Sequence, residues 1–397
     1  MAKKRVLIFS LVYYPRFIGG AEVALKEITD RISPEEIEFD MVTLRLDSKL
    51  PKFEKVGNIN VYRLGFVGNV KETSDSLRWP LHLNKYLLTF LGFFKALSLH
   101  KKNHYDATWS MMASYNGFAA LFFKWFKPEV PFLLTLQEGD PIEYIKKRVG
   151  FFLPVYGAIF KKADFIQTIS RYLADIAKDM GAKCVIRIVP NGVDVKKFEF
   201  SIEEHQKEDL RKDLGIQDGD KVLITTSRLV VKNAIGDVIK AMEFLPKNIK
   251  FLILGEGYQL EDLKKLAADI KVSDRVKFLG FVSHKEMPKY LKISDIFIRP
   301  SLSEGFGNSF IEAMAADVPV IATPIGGILD FLIDKETGLF CDIENPKSIA
   351  NRVSLYLSDD ALRNQIIKNG KKMVKDRYDW KQISQEMKEK VFDKILL

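Results

Sequence analysis

The sequence predicts an α/β protein made of two doubly wound, Rossmann-like domains that face a central cleft. Short apolar runs alternate with amphipathic helical stretches along all 397 residues. A Pro-Asn-Gly break near residue 190 divides the chain into halves of similar size. Glycine or polar residues follow the apolar runs in both halves. Strand-length runs separated by helices are typical of parallel sheets covered on both faces, and such sheets bind ligands at the carboxyl ends of their strands.

The apolar runs define the predicted strands. In the first half they lie at residues 6–10, 39–44, 132–136, 165–169 and 184–189, and in the second half at residues 222–227, 250–254, 276–278, 296–299 and 320–323. Residues 260–268 are an example of the amphipathic helices between them. We therefore predict one domain at residues 1–190, a second at 191–378, and a final helix at 379–397 that returns to the first domain.

Composition excludes several classes of protein. Hydrophobic residues make up 47% of the chain, which supports large cores and argues against disorder. The two cysteines, Cys184 and Cys341, are too few for a disulfide framework and suit a reducing compartment. Residues 1–10 have basic residues and a short apolar run without a small-residue cleavage site, so they predict a first strand and a cytoplasmic protein. The five histidines show no metal-ligand spacing, and we expect no metal and no cofactor.

The positive charge is confined to the first half of the chain. Residues 1–190 contain 28 Lys and Arg against 19 Asp and Glu, whereas the remainder contains 33 of each, so the net charge of +9 belongs to the first half. This asymmetry indicates an anionic partner such as a membrane surface, an acidic acceptor or nucleic acid. No nucleic-acid-binding motif accompanies the charge, so nucleic acid is not expected.

Two segments of the first half lack acidic residues and combine lysines with aromatic side chains. They are residues 76–105, with Lys95, Lys101 and Lys102 among their cations, and residues 144–162. Neither has the ~20 uninterrupted apolar residues that a membrane span needs. Cationic ends with an apolar interior are typical of helices that lie in a membrane interface, although ordinary core helices with solvated lysines give the same pattern.

The most informative motif is residues 303–315. Glu304 lies in a glycine-containing loop, and Glu312 lies eight residues later in a predicted helix. Gly305 and Gly307 let the backbone approach a ligand closely, and the start of a helix favours an anion such as phosphate. The two carboxylates can accept hydrogen bonds from sugar hydroxyls. A helix start with solvated glutamates is the alternative.

Other motifs follow predicted strands. Arg228 and Lys232 come just after the first strand of the second half, where they could grip a diphosphate. Residues 13–22 follow the first strand of the chain and contain a Gly-Gly pair that differs from the GxGxxG fingerprint, which makes NAD unlikely as a ligand. Gln137 and Glu138 leave a strand of the first half and suit hydroxyl recognition or acid–base work. A plain turn or a pair of surface cations is the alternative at each place.

Taken in order, these motifs resemble those of the retaining glycosyltransferases of family 4, which have the GT-B fold. The resemblance covers nearly the whole chain. Its strongest parts are residues 19–20, 189–194, 228–232, 304–312, 319–323, 326–327 and 337–340. It implies a hexosyltransferase that moves a sugar from a nucleoside diphosphate sugar to an acceptor hydroxyl with retention of anomeric configuration, in envelope polysaccharide or glycolipid synthesis. The second domain would hold the donor and the first domain the sugar or lipid-linked acceptor, with an anionic membrane surface as a further partner.

The resemblance also implies roles for single residues. Arg228 and Lys232 would hold the diphosphate, Glu304 the hydroxyls of the transferred sugar, and Glu312 the ribose. The predicted catalytic set is Glu304, Arg228, Lys232, Gln137 and Glu138. The predicted donor-binding set is Gly19, Gly20, Arg228, Lys232, Gly255, Val282, Glu304, Gly305, Phe306, Gly307, Asn308, Ser309 and Glu312.

One position departs from the family pattern. Family members usually have a histidine where this chain has Gln137, and a glutamine side chain does not titrate. Because the leaving phosphate can itself accept the proton of the acceptor, Gln137 could still serve as a hydrogen-bonding substitute. Two alternatives remain: another enzyme of the same fold, such as a phosphorylase or a nucleotide-sugar epimerase, or a non-catalytic binder of sugar nucleotides.

Overall fold

The computed structural model describes residues 3–68, 81–200 and 202–397. The start of the basic segment at residues 76–80, with Arg78, lies outside the described residues. The chain divides into two compact units. Unit 1 contains residues up to Asn191 together with Trp380–Leu397, and unit 2 is Gly192–Asp379.

Unit 1 is built on an eight-stranded sheet. Its strands are β1 (Lys4–Phe9), β2 (Ile37–Leu44), β3 (Phe53–Val56), β4 (Ile59–Leu64), β5 (Ala107–Met111), β6 (Phe132–Leu136), β7 (Phe165–Thr168) and β8 (Val185–Ile188). The strand order is β3-β4-β2-β1-β5-β6-β7-β8, so the direction of winding reverses between β1 and β5. Every pairing is parallel except that of β3 with β4.

The β3–β4 pair corrects the prediction of purely parallel sheets. The two strands form an antiparallel hairpin at the sheet edge, and Gly57 and Asn58 make its turn, with Gly57 at a φ of +57°. The exposed and half-buried alternation of β3 explains why it is an edge strand. A two-residue turn with a glycine is a hairpin signal that the strand prediction did not use.

The helices of unit 1 cover the sheet. They are α1 (Gly20–Thr29), α2 (Leu83–Asn103), α3 (Tyr115–Phe126), α4 (Ile142–Val149), α5 (Leu153–Lys162) and α6 (Arg171–Asp179). Helix α2 spans 21 residues and places His100, Lys101 and Lys102 in its last turn, where cations offset the helix dipole. Ser170 caps helix α6, because its hydroxyl accepts the N–H of Leu173 at 3.3 Å.

Unit 2 has a six-stranded parallel sheet. Its strands are β9 (Lys221–Thr226), β10 (Ile249–Leu254), β11 (Val276–Gly280), β12 (Ile296–Arg299), β13 (Val320–Ala322) and β14 (Leu339–Phe340). They lie in the order β11-β10-β9-β12-β13-β14. Counted within the unit, this is the 3-2-1-4-5-6 order of the Rossmann fold, with the reversal between β9 and β12.

Helices again cover the sheet of unit 2. They are α7 (Val195–Phe198), α8 (Glu204–Asp213), α9 (Ile235–Ala241), α10 (Leu260–Asp269), α11 (Met287–Lys292), α12 (Asn308–Ala315), α13 (Pro346–Ser358) and α14 (Asp360–Arg377). Buried side chains of α9, α10 and α13 form one core with the strands. On α12, Phe310 packs edge-on against Phe297 of β12 at 5.2 Å between ring centroids. This packing fixes α12 beside the strand that precedes it.

The last residues of the chain belong to unit 1. Helix α15 (Trp380–Met387) continues through a π-helical turn (Lys388–Phe392) into α16 (Asp393–Ile395). Trp380, Ile383, Met387 and Phe392 are buried in the core that contains β1, β2 and α1. The ring centroid of Phe392 lies 5.2 Å from that of Trp109 of β5, so these last residues cover the middle of the sheet.

All ten predicted strands are present, with ends within about two residues of those predicted. Four strands were not predicted: β3, β4, β5 and β14. Among them β5 is wholly buried, but its Thr and Ser residues interrupt the apolar run. No helix within the described residues is long and apolar enough to cross a membrane.

Candidate active site

In unit 2, the predicted site residues cluster where the strand order reverses. Strands β9 and β12 are neighbours at this point, and the loops after them carry residues 227–234 and 300–307. Open α/β sheets bind ligands at the carboxyl ends of strands beside such a reversal. The position of the two loops therefore follows from topology, and their chemistry follows from sequence.

A backbone hydrogen bond joins the two loops, and a side-chain bond stabilises the first of them. The N–H of Leu302 donates to the carbonyl oxygen of Lys232 at 2.6 Å. The side-chain amide of Asn233 donates to the carbonyl oxygen of Arg228 at 2.7 Å. Arg228 is exposed and Lys232 is half-buried, so both cations are placed on a fixed backbone at the loop surface.

The Glu304 loop is held by close backbone packing. Glu304 Oε1 accepts the N–H of Gly305 at 3.1 Å, and the Glu304 carbonyl accepts the N–H of Gly327 at 3.0 Å. A Cβ atom on Gly326 would lie 2.1 Å from the Glu304 carbonyl oxygen, and one on Gly327 would lie 2.0 Å from that of Gly305. Only glycines let the two loops approach this closely.

A buried arginine completes the loop. Arg299, the last residue of β12, donates from Nη2 to Glu304 Oε2 at 2.6 Å and from Nη1 to Ser309 Oγ at 2.8 Å. Its guanidinium lies 4.6 Å from the ring centroid of Phe310. Burial lowers the pKa of Arg299, whereas the charges of Glu304 and Glu312 raise it. The sequence motifs did not include this residue.

The start of α12 follows the loop directly. Gly307 precedes the helix with a φ of +99°, a conformation that favours glycine. Phe306 is buried, with its ring 5.3 Å from Phe331 and 5.6 Å from Tyr378. The side chain of Phe306 is thus part of the core, and only its backbone remains for the predicted donor contact. Asn308 and Ser309 are half-buried in the first turn.

The positions predicted for the ribose and the base lie further along the same edge. Glu312 is mostly buried, and its Oε1 lies 4.0 Å from His284 Nδ1. Val282 is half-buried just after β11. Gly255 has a φ of +149°, its N–H donates to Gly280 at 2.7 Å, and an added Cβ would lie 1.8 Å from the Ser227 carbonyl. Gly255 therefore serves close packing of the strand ends, and its donor contact stays a prediction.

Two serine hydroxyls at this edge are buried without a partner. Ser227 Oγ follows β9 and Ser301 Oγ follows β12, and neither has a hydrogen-bond partner within the described part of the chain. Buried polar groups are normally paired, because an unpaired one costs about 1–3 kcal/mol. These two hydroxyls are therefore polar groups at the strand ends that the described residues leave unsatisfied.

In unit 1, the glycine pair opens the first helix. Gly19 precedes α1, and its N–H donates to Glu22 Oε2 at 2.8 Å. An added Cβ on Gly19 would lie 2.8 Å from that same oxygen. Arg16, in the loop before it, pairs with the buried Asp47 at 2.6 Å. The loop that contains Gly19 and Gly20 is thus anchored on both sides of its apex.

Gln137 forms a reciprocal pair with Asn191. Gln137 Nε2 donates to Asn191 Oδ1 at 3.2 Å, and Asn191 Nδ2 donates to Gln137 Oε1 at 3.1 Å. Asn191 is buried. An amide side chain carries two N–H donors and two acceptor lone pairs, so Gln137 has hydrogen-bonding capacity beyond this pair. Gln137 is therefore a fixed hydrogen-bonding group at the end of β6.

Glu138 is held by two backbone donors. Its Oε1 accepts the N–H of Ala113 at 2.7 Å, and its Oε2 accepts the N–H of Gln137 at 2.9 Å. Burial raises the pKa of Glu138 to about 7, although the backbone hydrogen bonds act in the opposite direction. Leu136, Ile142 and Tyr156 are among the side chains of a small cavity beside the carboxylate. A carboxyl group that titrates near neutral pH suits acid–base work.

Comparison with known proteins decides the family. The model of the glycosyl transferases group 1 matches residues 206–373, and the model of glycosyltransferase family 4 matches residues 18–197. The chain belongs to glycosyltransferase family 4. The family that the ordered motifs predicted is confirmed.

Relatives of this glycosyltransferase match over different lengths. An uncharacterized glycosyltransferase of Methanocaldococcus jannaschii is 25% identical over 400 residues, which are 96% of each chain. The alpha-monoglucosyldiacylglycerol synthase of Streptococcus pneumoniae is 30% identical over 261 residues, which are 63% of this chain and 58% of that one. A GDP-mannose-dependent phosphatidylinositol monomannoside mannosyltransferase of Corynebacterium glutamicum is 31% identical over 55% of this chain and 59% of its own.

Solved structures show the fold of the glycosyltransferase. Sucrose-phosphate synthase from Thermosynechococcus elongatus gives a TM-score of 0.83 at 20% identity over 99% of both chains. Anabaena HepE in complex with UDP-glucose gives 0.78 at 19% identity over 98% of this chain and 99% of that one. The fold is GT-B, with two Rossmann-like domains, as the sequence predicted.

The sequence motifs assigned no role to two residues of the candidate site. Arg299 is the only charged residue in β12, and a lone arginine at the end of an apolar strand is a signal that it has buried partners. Asn191 was part of the break between the halves but had no role. Its partner Gln137 is 54 residues away in the chain, and no local pattern joins them.

Proposed function

We propose that this glycosyltransferase moves a sugar from a nucleoside diphosphate sugar to an acceptor hydroxyl with retention of anomeric configuration. The observation that carries the proposal is the clustering of Glu304, Lys232 and Arg228 on two joined loops at the strand reversal of unit 2. Cations there can hold a diphosphate, and the carboxylate can accept hydrogen bonds from the sugar. The complex of Anabaena HepE with UDP-glucose supports a nucleotide sugar as donor.

The proposed reaction is balanced without a protein base. The bond between the anomeric carbon and the diphosphate oxygen breaks, and a bond between that carbon and the acceptor oxygen forms on the same face of the sugar. The acceptor proton passes to the leaving phosphate. Lys232 and Arg228 stabilise the negative charge that develops on the diphosphate, and we propose that no metal ion is required.

Unit 1 is proposed to hold the acceptor. The Gln137–Asn191 pair and Glu138 offer hydrogen bonds at the carboxyl ends of its strands, which suits the orientation of a hydroxyl group. Since the amide of Gln137 does not titrate, Glu138 is the group in this pair of neighbours whose protonation changes near neutral pH.

A donor screen and product analysis test this reaction. Melting temperatures are measured with increasing UDP-, GDP- and ADP-sugars, and the true donor should stabilise the protein in a concentration-dependent manner. Slow hydrolysis of that donor without acceptor distinguishes an enzyme from a non-catalytic binder. NMR of the transferred sugar should show the donor's anomeric configuration, and activity should survive EDTA. An inverted product or loss of activity in EDTA would contradict the mechanism.

The acceptor is proposed to be a glycolipid or an envelope polysaccharide precursor at the cytoplasmic face of a membrane. Two similar proteins are named as a diacylglycerol glucoside synthase and a phosphatidylinositol mannoside mannosyltransferase. The two cysteines, Cys184 and Cys341, are free, which suits a reducing compartment. The positive charge of residues 1–190 favours an anionic membrane surface.

An aromatic surface on unit 1 supports this membrane proposal. The surface consists of the exposed side chains Tyr86, Phe90, Phe94, Trp125 and Phe126 of α2 and α3. The rings of Phe93 and Phe122 join the four side chains other than Tyr86, with neighbouring centroids 5.0–6.3 Å apart. Exposed aromatic groups beside cations are typical of proteins that bind the membrane interface.

The structure shows which lysines of α2 are exposed enough to contact lipid. Lys101 and Lys102 are exposed at the end of α2 and remain candidates for lipid contact. Lys95 lies 4.8 Å from the ring centroid of Tyr62, so its charge is held against unit 1. Lys85, counted among the cations of the segment, is buried and does not reach a membrane surface.

Sedimentation with vesicles tests the membrane proposal. Binding should rise with the fraction of anionic lipid, fall with salt, and weaken when Lys101 and Lys102 are changed to Glu. Phe90→Ser with Phe94→Ser should weaken binding, whereas Phe244→Ser, an exposed phenylalanine of unit 2, should leave it unchanged. Equal lack of binding to neutral and anionic vesicles would refute the membrane proposal and leave the transferase proposal intact.

A further inference from the structure

Arg299 lies in a place where a charged side chain is costly. It ends β12, whose other three residues are Ile296, Phe297 and Ile298, and the residue is only 6% exposed. Burying an arginine is unfavourable unless its charge and its N–H groups have partners. The identity of those partners indicates what the residue does.

The guanidinium contacts three separate parts of the candidate site. Nη1 lies 3.4 Å from the carbonyl oxygen of Thr226, which ends β9, and also donates to Ser309 Oγ in the first turn of α12. Nη2 donates to Glu304 Oε2, in the loop between β12 and α12. The guanidinium carbon lies 4.6 Å from the ring centroid of Phe310, and the buried Nε has no hydrogen-bond partner within the described residues. One rigid group thus connects β9, the Glu304 loop and the start of α12.

These contacts fix the orientation of the Glu304 carboxylate. Arg299 holds Oε2 and the Gly305 N–H holds Oε1, so both oxygens are bound by groups that cannot move freely. A carboxylate has about four lone-pair directions, and two remain for other donors. The side chain of Glu304 is 17% exposed, so a ligand can reach these remaining directions.

We propose that Arg299 is a positioning residue that orients Glu304 toward the hydroxyls of the donor sugar. The inference rests on the proposed function, because it takes Glu304 as the residue that contacts the transferred sugar. Arg299 makes no contact with the donor in this proposal. A lysine cannot replace it, because a single ammonium group lacks the planar fork that bonds Glu304 and Ser309 together.

The test measures how much the sugar adds to nucleotide binding. Affinities for UDP and for UDP-glucose are determined by calorimetry for the parent protein, Arg299→Lys, Glu304→Gln and the double variant. Arg299→Lys should weaken UDP-glucose binding about tenfold and leave UDP binding nearly unchanged, because only the sugar meets Glu304. The double variant should be no weaker than the Glu304→Gln variant, since both changes remove the same interaction.

Arg275 provides a matched control. It is also a buried arginine of unit 2, it precedes β11 at the opposite end of the sheet, and it donates to the carbonyl oxygens of Met242 and Pro246 at 2.7 and 3.0 Å. Arg275→Lys should lower the melting temperature without changing the difference between UDP-glucose and UDP.

Three outcomes would overturn the proposal. Arg299→Lys could weaken the binding of UDP and of UDP-glucose equally, or it could leave both affinities unchanged. In the double variant, its full effect on UDP-glucose binding could add to that of Glu304→Gln. If Arg299→Lys does not fold, the Glu304→Gln variant still decides, because unchanged preference for UDP-glucose there contradicts an oriented Glu304. Failure of the parent protein to bind any UDP-, GDP- or ADP-sugar would instead refute the proposed donor. If the screen identifies another base, the same comparison uses that nucleotide and its sugar.

Discussion

The two units reverse their strand order at the same place but differ in the chemistry at their strand ends. Both sheets reverse direction beside their first strand, β1 in unit 1 and β9 in unit 2. In unit 2 the loops there carry Arg228, Lys232 and Glu304, and Arg299 is buried among them. In unit 1 the end of β6 carries the amide of Gln137 beside the carboxyl group of Glu138, and Asn116 donates to the carbonyl oxygens that end β1 and β5, Phe9 at 3.0 Å and Met111 at 2.6 Å.

This difference teaches that topology places a site and residue types decide its ligand. A diphosphate requires fixed positive charge and a sugar requires hydrogen-bond acceptors, and unit 2 supplies both. A neutral hydroxyl acceptor requires only orientation, which amides and hydroxyls provide at lower desolvation cost. The positive charge of unit 1 lies elsewhere, on surfaces such as the end of α2.

The largest expected effect belongs to the cations of unit 2. Lys232→Ala should reduce kcat by a factor that corresponds to about 2.7–4 kcal/mol, because the charge that develops on the diphosphate loses a fixed donor. Steady-state kinetics with the donor from the screen measures it. Lys240→Ala, which removes an exposed lysine that pairs with Asp237, serves as the control and should keep parental kcat. Parental turnover in Lys232→Ala would show that the diphosphate lies elsewhere.

A smaller effect is expected at Glu304. Glu304→Ala should cost about 1–3 kcal/mol in kcat/KM for each lost hydrogen bond to the sugar. The exposed Glu261, at the start of α10, is the control. The prediction fails if Glu304→Ala and Glu261→Ala are equally active.

In unit 1, a substitution of Gln137 should lower the stability of the protein more than the substitutions in the unit 2 site do. Gln137→Ala leaves the buried amide of Asn191 without its two bonds, so the free energy of unfolding should fall by about 1–3 kcal/mol. Urea denaturation measures it, with the exposed Gln385→Ala as control. An unchanged midpoint would mean that Asn191 finds another partner when Gln137 is lost.

A fourth prediction concerns the pH dependence of Glu138. Its pKa in the folded protein is about 7, above its usual 4.5, so the stability that it contributes is fully present below pH 4.5 and is lost as the pH rises to about 7. Glu138→Gln removes this titration. The melting temperature of the variant relative to the parent should therefore rise between pH 4.5 and 7 and then level off. A difference that is independent of pH would contradict the raised pKa.

The sequence predicted the elements whose signal is local. All ten predicted strands and helix α10 follow from apolar runs and periodicity within a few residues. The glycines beside Glu304 and the cations after β9 were found because they follow strands directly. Strand β5 was missed, because its Thr108 and Ser110 weaken the apolar pattern, although the strand is buried by its neighbours.

Contacts between distant segments could not be predicted in this way. Arg299 reaches Thr226 across 73 residues, Leu302 bonds to Lys232 across the two loops, and Gln137 meets Asn191 across 54 residues. Each contact depends on which strands are neighbours, and local residue patterns do not predict the order of the strands.

The sequence by itself determined the α/β class, the break near residue 190, the family and the position of the loops that are proposed to bind the donor. These features depend on residue type and spacing within short segments, and both can be read from the sequence. Only the tertiary structure decided that Arg299 is hydrogen-bonded to Glu304, that Gln137 is paired with Asn191, and that Lys85 is buried while the aromatic surface is exposed. The reason is physical: burial and hydrogen bonding at these places arise from packing between elements that lie far apart in the chain.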